Sequence, residues 1–144
     1  MASFSVSGMD ELQAAFGRIK EIPWEVTEKA LNKMADLAAQ SVKAEGERMG
    51  VRDPESQVHI LDVIKPVKAK QDDDGGHQDI TFSGSRTRGK NGKATRNAEI
   101  AFINEYGKTG QPARPFIGTG MTRNENAIAD SGADVIGDWI EMKF

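Results

Sequence analysis

The run GSRTRGK at residues 84–90 has the G-x-x-x-x-G-K spacing of loops that bind nucleotide phosphates. The next residue, Asn91, stands where such loops need the Ser or Thr hydroxyl that ligates magnesium. No segment with an apolar helix face follows directly, so the helix N-terminus that would stabilise a bound phosphate is missing. The sequence therefore predicts no nucleotide site, and we expect no cofactor.

The patterns that would indicate metal or nucleophile chemistry are also incomplete. The two histidines, His59 and His77, have no second His at the i, i+4 spacing of a helical metal pair. The aspartates around His77 lack the spacing of a calcium loop, so we interpret them as a solvated hairpin turn. No Gly-x-Ser-x-Gly elbow marks a nucleophile. We expect a protein that is not an enzyme and that holds no metal.

Residues 84–97 form one compositionally biased segment, GSRTRGKNGKATRN, which has no acid and no apolar residue larger than alanine. Such a segment cannot bury itself, so we expect a flexible basic loop that projects from the sheet. Its cations could neutralise phosphates, although no aromatic residue is present for base stacking. The alternative is a solubilising loop that orders against an acidic neighbouring subunit. The candidate polyanion contacts are Arg86, Arg88, Lys90, Lys93 and Arg96.

Length and composition fit a single globular domain over residues 1–144, with 38% hydrophobic and 28% charged residues. The formal net charge of -3 gives no overall attraction to nucleic acid, so a polyanion site would have to be a local patch. The absence of cysteine removes disulfides and thiolate ligands. Because no signal peptide and no run of about 18 apolar residues is present, we expect a soluble protein made in the cytoplasm.

Hydrophobic periodicity predicts the helices and strands that would position these residues. Residues 3–7 alternate as in a short strand, and residues 10–20 have the apolar face of a short helix. The clearest helical period spans residues 23–49, where Pro23 suits the first turn and Gly50 suits the C-cap. The apolar stripe of this long helix comprises Val26, Ala30, Met34, Leu37, Ala38 and Val42.

The middle of the chain predicts a sheet. Residues 58–70 indicate a strand that Pro66 restricts to an edge, and the QDDDGG turn at residues 71–76 should fold it back onto residues 79–83 as a hairpin. Residues 98–104, AEIAFIN, are apolar on both sides and predict a central strand. Because hairpin signals dominate, the sheet should be antiparallel, with about four strands.

The C-terminal segment predicts a helix, with apolar residues at helical spacing. Gly132 and Gly137 each cost about 1 kcal/mol relative to alanine, so this helix should be marginal until it docks. The stretch 105–119 is expected to be irregular. The predicted fold class is therefore α+β, with an antiparallel sheet of about four strands packed on a long amphipathic helix and a C-terminal helix beside it.

Residues 98–118, AEIAFINEYGKTGQPARPFIG, combine an apolar segment ending in Glu-Tyr-Gly with a short polar stretch and then Pro-Ala-Arg-Pro-Phe. This pattern resembles the small neck or tail-component proteins of long-tailed bacteriophages, the HK-ninety-seven-like gene-product-ten family. The F-x-V-x-G opening at residues 4–8 and the order of elements are similar as well, whereas the family's Thr-Gly pair is missing near residues 57–64. The residues that match the signature are Glu105, Tyr106, Gly107, Pro112, Ala113, Arg114, Pro115 and Phe116.

The resemblance implies a structural phage or prophage protein of virion assembly, located at the head-to-tail junction as a neck or tail completion component. Its partners would be further copies of itself in a ring and other connector or tail proteins, with DNA in the lumen and no membrane or small-molecule substrate. It would lie in the bacterial cytoplasm during assembly and then in the virion. The alternative is a nucleic-acid-binding module or nuclease-type toxin that uses residues 86–96.

The signature also has a physical interpretation that does not depend on the family. Gly107 permits a positive φ, and the two prolines keep the chain between them extended and stiff. Phe116 can then fill a pocket. We expect Arg114 to form a charge-assisted pair with Glu105 that sets the register of the C-terminal helix.

Overall fold

The protein is described by a computed structural model that covers residues 22–51, 60–73, 75–86 and 94–143 and the backbone of residues 3–6, 87–88 and 93. Its fold class is α+β, as predicted. The predicted helix 10–20 lies outside the described residues. In chain order the elements are β1 (Ser3–Val6), α1 (Trp24–Arg48), a 3-10 helix (Ile60–Val63), β2 (Ile64–Pro66), β3 (Gln78–Phe82), β4 (Ser85–Arg88), β5 (Lys93–Arg96), α2 (Asn97–Tyr106), α3 (Phe116–Arg123) and α4 (Glu125–Lys143).

Helix α1 is the predicted long amphipathic helix, and its bounds agree with the prediction to within one residue at each end. It ends in a Schellman motif, in which Gly50 has φ +74° and the Val51 N–H donates to the Gly46 carbonyl at 2.9 Å. The predicted role of Gly50 is thereby confirmed. The fully buried part of its apolar face comprises Ala30, Leu31, Ala35, Ala38 and Val42.

The sheet is antiparallel and has the order β1-β3-β2, with β3 in the centre. The predicted hairpin is present, since Ile64 lies opposite Phe82, and its strand β2 lies at the edge, as Pro66 requires. The strand is much shorter than predicted, because the 3-10 helix precedes it. A single sheet of about four strands is not confirmed, since β4 and β5 form a separate two-stranded ribbon.

The ribbon of β4 and β5 corrects the prediction that residues 84–97 form a flexible loop. Its register places Arg86 opposite Thr95 and Arg88 opposite Lys93. The two strands pair through backbone groups, which need no apolar side chains. Because the segment has no large apolar residue, its period-two alternation with threonine was not recognised as a strand pattern. The side chain of Asn97 then anchors the base of the ribbon, because its amide donates to the Ser83 carbonyl at 2.7 Å.

Helix α2 corrects the prediction of a central strand at residues 98–104. A short apolar run does not distinguish a strand from a helix, because its periodicity is too brief to settle the question. In the structure Ala98, Ala101 and Asn104 are buried at a spacing of three residues, whereas Phe102 is largely exposed. The burial therefore follows the period of a helix.

The core lies on both sides of α1. One cluster joins α1 to the sheet and to α4, through Leu31, Ile80 and Ile136. The predicted C-terminal helix is confirmed as α4, and a Cβ on Gly132 would collide with the Met34 side chain. The glycine therefore allows α4 to approach α1 closely. No helix among the described residues is long and apolar enough to cross a membrane.

Candidate functional site

The signature residues form the connection between α2 and α3. Gly107 ends α2 with φ +77°, and a Cβ at this position would lie 2.8 Å from the Ala113 backbone nitrogen. A glycine is therefore required, as predicted. Lys108 and Gln111 next exchange two backbone hydrogen bonds of 2.9 Å, which close a tight turn and bring the chain back toward α2.

Glu105 caps the N-terminus of α3. Its carboxylate accepts hydrogen bonds from the backbone N–H groups of Ile117 at 2.8 Å and Gly118 at 3.0 Å. Both groups lie in the first turn of α3, where N–H donors have no partner within the helix and negative charge is favourable. The cap is thus supplied by a residue of the preceding helix.

The predicted pair of Glu105 with Arg114 is wrong. The Arg114 guanidinium instead donates from Nη1 to the Gly50 carbonyl at 3.1 Å, just beyond the C-terminus of α1. The Arg114 backbone N–H donates to the Asn104 carbonyl at 2.6 Å. Arg114 therefore links the ends of α1 and α2. The stretch 105–119 was predicted to be irregular, but it contains the end of α2 and the start of α3.

Pro115 turns the chain into α3. The Phe116 N–H donates to the Arg114 carbonyl at 2.7 Å, and Pro115 has φ -77° and ψ 64°. These angles define an inverse γ-turn, whose central φ the proline ring already favours. The fixed turn directs Phe116 into the core.

Phe116 is fully buried, with 0% exposed, so the prediction that it fills a pocket is confirmed. Its ring meets Phe82 edge to face, with centroids 5.9 Å apart and an interplanar angle of 70°. It also packs beside Gly46, whose missing Cβ leaves room for the ring. The signature thereby fixes the start of α3 against both α1 and the sheet.

Helix α3 crosses α1 at a close contact that the sequence did not reveal. Ser41 Oγ donates to the Gly120 carbonyl at 2.7 Å and accepts from Asn124 Nδ2 at 2.5 Å. A Cβ on Gly120 would lie 2.8 Å from the Val42 Cα. In the sequence, only the small size of Ser41 and Gly120 could have suggested that α1 and α3 pack closely here.

The capping role of Glu105 gives a testable prediction. Glu105→Ala is expected to lower the free energy of unfolding by about 1–2 kcal/mol, because two N–H groups of α3 lose their acceptor. Glu105→Gln should cost less, since its amide retains one acceptor oxygen. Urea denaturation of the two variants and the wild type measures both losses. Unchanged stability of Glu105→Ala would contradict the role.

A second ionic contact joins α1 to α3. The buried Glu45 carboxylate accepts from the Arg48 guanidinium and lies 3.6 Å from Arg123 Nε. The hydrogen bond from Arg48 lowers the pKa of Glu45 below its ordinary value of 4.5, burial opposes this, and the charge of Arg123 adds to the lowering. The spacing of Glu45 and Arg48 was visible in the sequence, but the approach of Arg123 was not.

This contact predicts a pH dependence of stability. The folded chain binds the Glu45 proton less readily than the unfolded chain, so the stabilisation is complete above about pH 5 and is lost as the pH falls through the lowered folded-state pKa. Glu45→Gln should therefore flatten the fall in urea midpoint between about pH 6 and about pH 3. The control is Asp36→Asn, an exposed change on the same helix. Equal slopes in both variants would contradict the prediction.

The outward side of α2 carries an exposed aromatic pair. Phe102 and Tyr106 are 48% and 69% exposed, and their ring centroids lie 4.7 Å apart. The neighbouring signature residues Pro112, Ala113 and Pro115 are exposed as well. Adjacent aromatic rings at the surface are typical of an interaction site rather than of a solvated helix face.

The candidate polyanion contacts do not act as one set. Arg86 is partly buried and donates from Nε to Asn97 Oδ1 at 3.0 Å, so it has a structural role at the base of the ribbon. Arg96 is exposed directly before α2. Arg88 and Lys93 are opposite residues in the backbone register of the ribbon, and Lys90 lies outside the described residues.

His77 directly follows the predicted turn of residues 71–76 and pairs with Lys70, and its Nδ1 lies 2.6 Å from Asp72 Oδ2. In the ranges that the structure describes, no three His, Cys, Asp or Glu side chains form a group that could hold a metal ion.

Comparisons of the chain with protein-family models, with curated proteins and with solved structures found no match. The fold thus defines the α+β class. Membership of a family is a proposal that rests on the sequence pattern of residues 98–118.

Proposed function

We propose that the protein is a structural component of a long-tailed bacteriophage or prophage that assembles as a ring at the head-to-tail junction. The sequence support is the Glu-Tyr-Gly and Pro-Ala-Arg-Pro-Phe pattern of residues 98–118. The structural observation that carries the proposal is the exposed aromatic pair of Phe102 and Tyr106 on α2. Tyr106 belongs to the pattern yet lies outside the core, so an interface explains its presence better than folding does.

The surroundings of the pair suit an interface. Capping by Glu105 and burial of Phe116 hold the end of α2 and the start of α3 in one arrangement. A rigid aromatic surface loses little conformational entropy when a partner covers it. In this proposal the pair contacts a further copy of the chain or a neighbouring connector or tail protein, and DNA passes through the ring.

Light scattering coupled to size-exclusion chromatography tests the self-assembly. The wild type is expected to form a ring-sized oligomer at high concentration, and Phe102→Ser with Tyr106→Ser should shift it toward the monomer. Val67→Ser is the matched control, since Val67 is an apolar residue that is 37% exposed and directly follows β2, outside the signature residues. A wild type that stays monomeric at all concentrations contradicts the proposal.

The second proposal is a nucleic-acid-binding module, supported by the backbone register of the ribbon, in which Arg88 and Lys93 are opposite residues. Mobility shift of DNA across a salt series distinguishes the two, because phosphate contacts give a steep loss of affinity with salt. Binding that does not change with salt contradicts this second proposal.

A further inference from the structure

The outward face of helix α2 carries an acid beside the exposed aromatic pair. Glu99, Phe102 and Tyr106 are all exposed. Residues seven apart on a helix lie almost in line, so the three side chains fall within an arc of about 60°. Glu99 forms no ion pair among the described residues, although Arg96 lies three residues before it. This face therefore offers a partner an apolar surface of two rings with a negative charge beside it.

The connection between α2 and α3 carries the complementary chemistry. Its residues Pro112, Ala113, Arg114 and Pro115 are exposed, and we call residues 112–115 the proline segment. Pro112 fixes its own φ, and Pro115 disfavours a helical conformation at Arg114. The Arg114 backbone N–H also donates to the Asn104 carbonyl at 2.6 Å, which holds the segment in place. The proline segment therefore loses little conformational entropy when it binds.

The Arg114 guanidinium can form a further charged contact. One of its five N–H groups donates to the Gly50 carbonyl. Across the part of the chain that the structure describes, Arg114 forms no ion pair, and the residue is exposed. A carboxylate from another molecule can therefore accept a charge-assisted hydrogen bond from Arg114.

We propose that the proline segment of one copy docks on the outward face of α2 of the next copy. In this contact Pro112 and Ala113 pack on the two rings, and Arg114 lies beside Glu99. The inference rests on the proposed self-assembly and names the surface that covers the aromatic pair. Extended segments that contain proline bind aromatic surfaces in this way, because their backbone is largely ordered before binding.

The spacing of the groups on the two surfaces agrees with this contact. Along α2 the midpoint between the two rings lies about 7.5 Å from Glu99. In an extended segment Pro112 and Arg114 lie about 6 Å apart, and the long arginine side chain spans the difference. The opposite charges of Glu99 and Arg114 then fix the direction in which the segment crosses the rings.

The two surfaces also define the kind of assembly. The rings and the proline segment are different residues of one chain, so each copy presents its rings to one neighbour and its proline segment to the other. The contact is heterologous rather than two-fold symmetric. Such contacts repeat in one direction and close into a ring when the rotation between copies allows it.

A charge-reversal experiment tests the contact. Glu99→Arg and Arg114→Glu are each expected to self-associate about tenfold more weakly than the wild type at low salt, because like charges then meet. The variant with both changes should recover the oligomer, since each contact again joins opposite charges. The control is Asp138→Arg, which reverses an exposed acid on α4 and should assemble like the wild type. Light scattering measures the oligomer, and circular dichroism checks that each variant folds.

A second variant tests the packing on the rings without changing a charge. Arg114→Glu also removes the hydrogen bond to Gly50, whereas Pro112→Ser leaves that bond in place. Pro112→Ser is expected to weaken self-association at least about fivefold, because the pyrrolidine ring no longer covers the aromatic pair. Val67→Ser, the exposed apolar control, should have no such effect.

The outcomes separate this inference from the proposed function. If the wild type assembles and Phe102→Ser with Tyr106→Ser abolishes assembly, while Glu99→Arg and Pro112→Ser assemble like the wild type, another surface covers the rings. The inference is then wrong and the proposed function stands. A double charge-reversal variant that folds yet associates as weakly as the single variants also overturns the inference. A wild type that stays monomeric at all concentrations overturns both.

Discussion

Phe116→Ala is expected to lower the free energy of unfolding by about 3–5 kcal/mol, which is a large part of the stability of a domain of this size. The ring is fully buried and packs edge to face on Phe82, so truncation leaves a cavity where α1, α3 and the sheet meet. Urea denaturation followed by circular dichroism measures the loss.

Phe102→Ala is the matched control for Phe116→Ala, because it removes the same ring from a half-exposed position on α2. In the monomer, Phe102→Ala should lower the free energy of unfolding by less than about 1 kcal/mol, since little buried surface is lost. Equal losses in the two variants would contradict the assignment of Phe116 as the residue that fixes α3 to the core.

Gly120→Ala and Gly137→Ala are expected to change stability in opposite directions. The new Cβ at Gly120 would lie 2.8 Å from the Val42 Cα, and backbone cannot move aside as a flexible side chain can. Helices α1 and α3 must separate, and the hydrogen bond from Ser41 weakens. We therefore expect Gly120→Ala to lower the free energy of unfolding by about 1–3 kcal/mol, despite the better helix propensity of alanine.

At Gly137 a new Cβ would meet no atom within 4 Å. Gly137→Ala is therefore expected to stabilise the protein by about 0.5–1 kcal/mol, because alanine loses less backbone entropy within a helix. Thermal or urea unfolding of both variants checks the signs. Stabilisation by both substitutions would show that α3 and α1 do not need the close approach at Gly120.

The sequence predicted those elements whose apolar periodicity extends over several turns. Helix α1 and helix α4 both have such a period, and the Pro66 hairpin has explicit turn residues. Helix α2 was mistaken for a strand because its apolar run is too short to show which residues face inward. The ribbon was missed because its strands pair through backbone groups, without a buried apolar face.

Within the site, local conformational demands were predictable and long-range partners were not. Gly107 and Phe116 follow from backbone geometry and hydrophobicity, which each residue carries by itself. The partners of Glu105 and Arg114 depend on how three helix ends meet in space. A carboxylate and a guanidinium nine residues apart suggested a pair with each other, but unsatisfied backbone groups at helix ends were the nearer partners.

Glu105 and Tyr106 are consecutive residues, one bonded to the first turn of α3 and the other open to solvent. Any molecule that binds Tyr106 and restrains the last turn of α2 also favours the conformation in which Glu105 reaches α3. Thermodynamic linkage makes this effect reciprocal, so Glu105→Ala should weaken binding at the aromatic pair without altering a single atom of that surface.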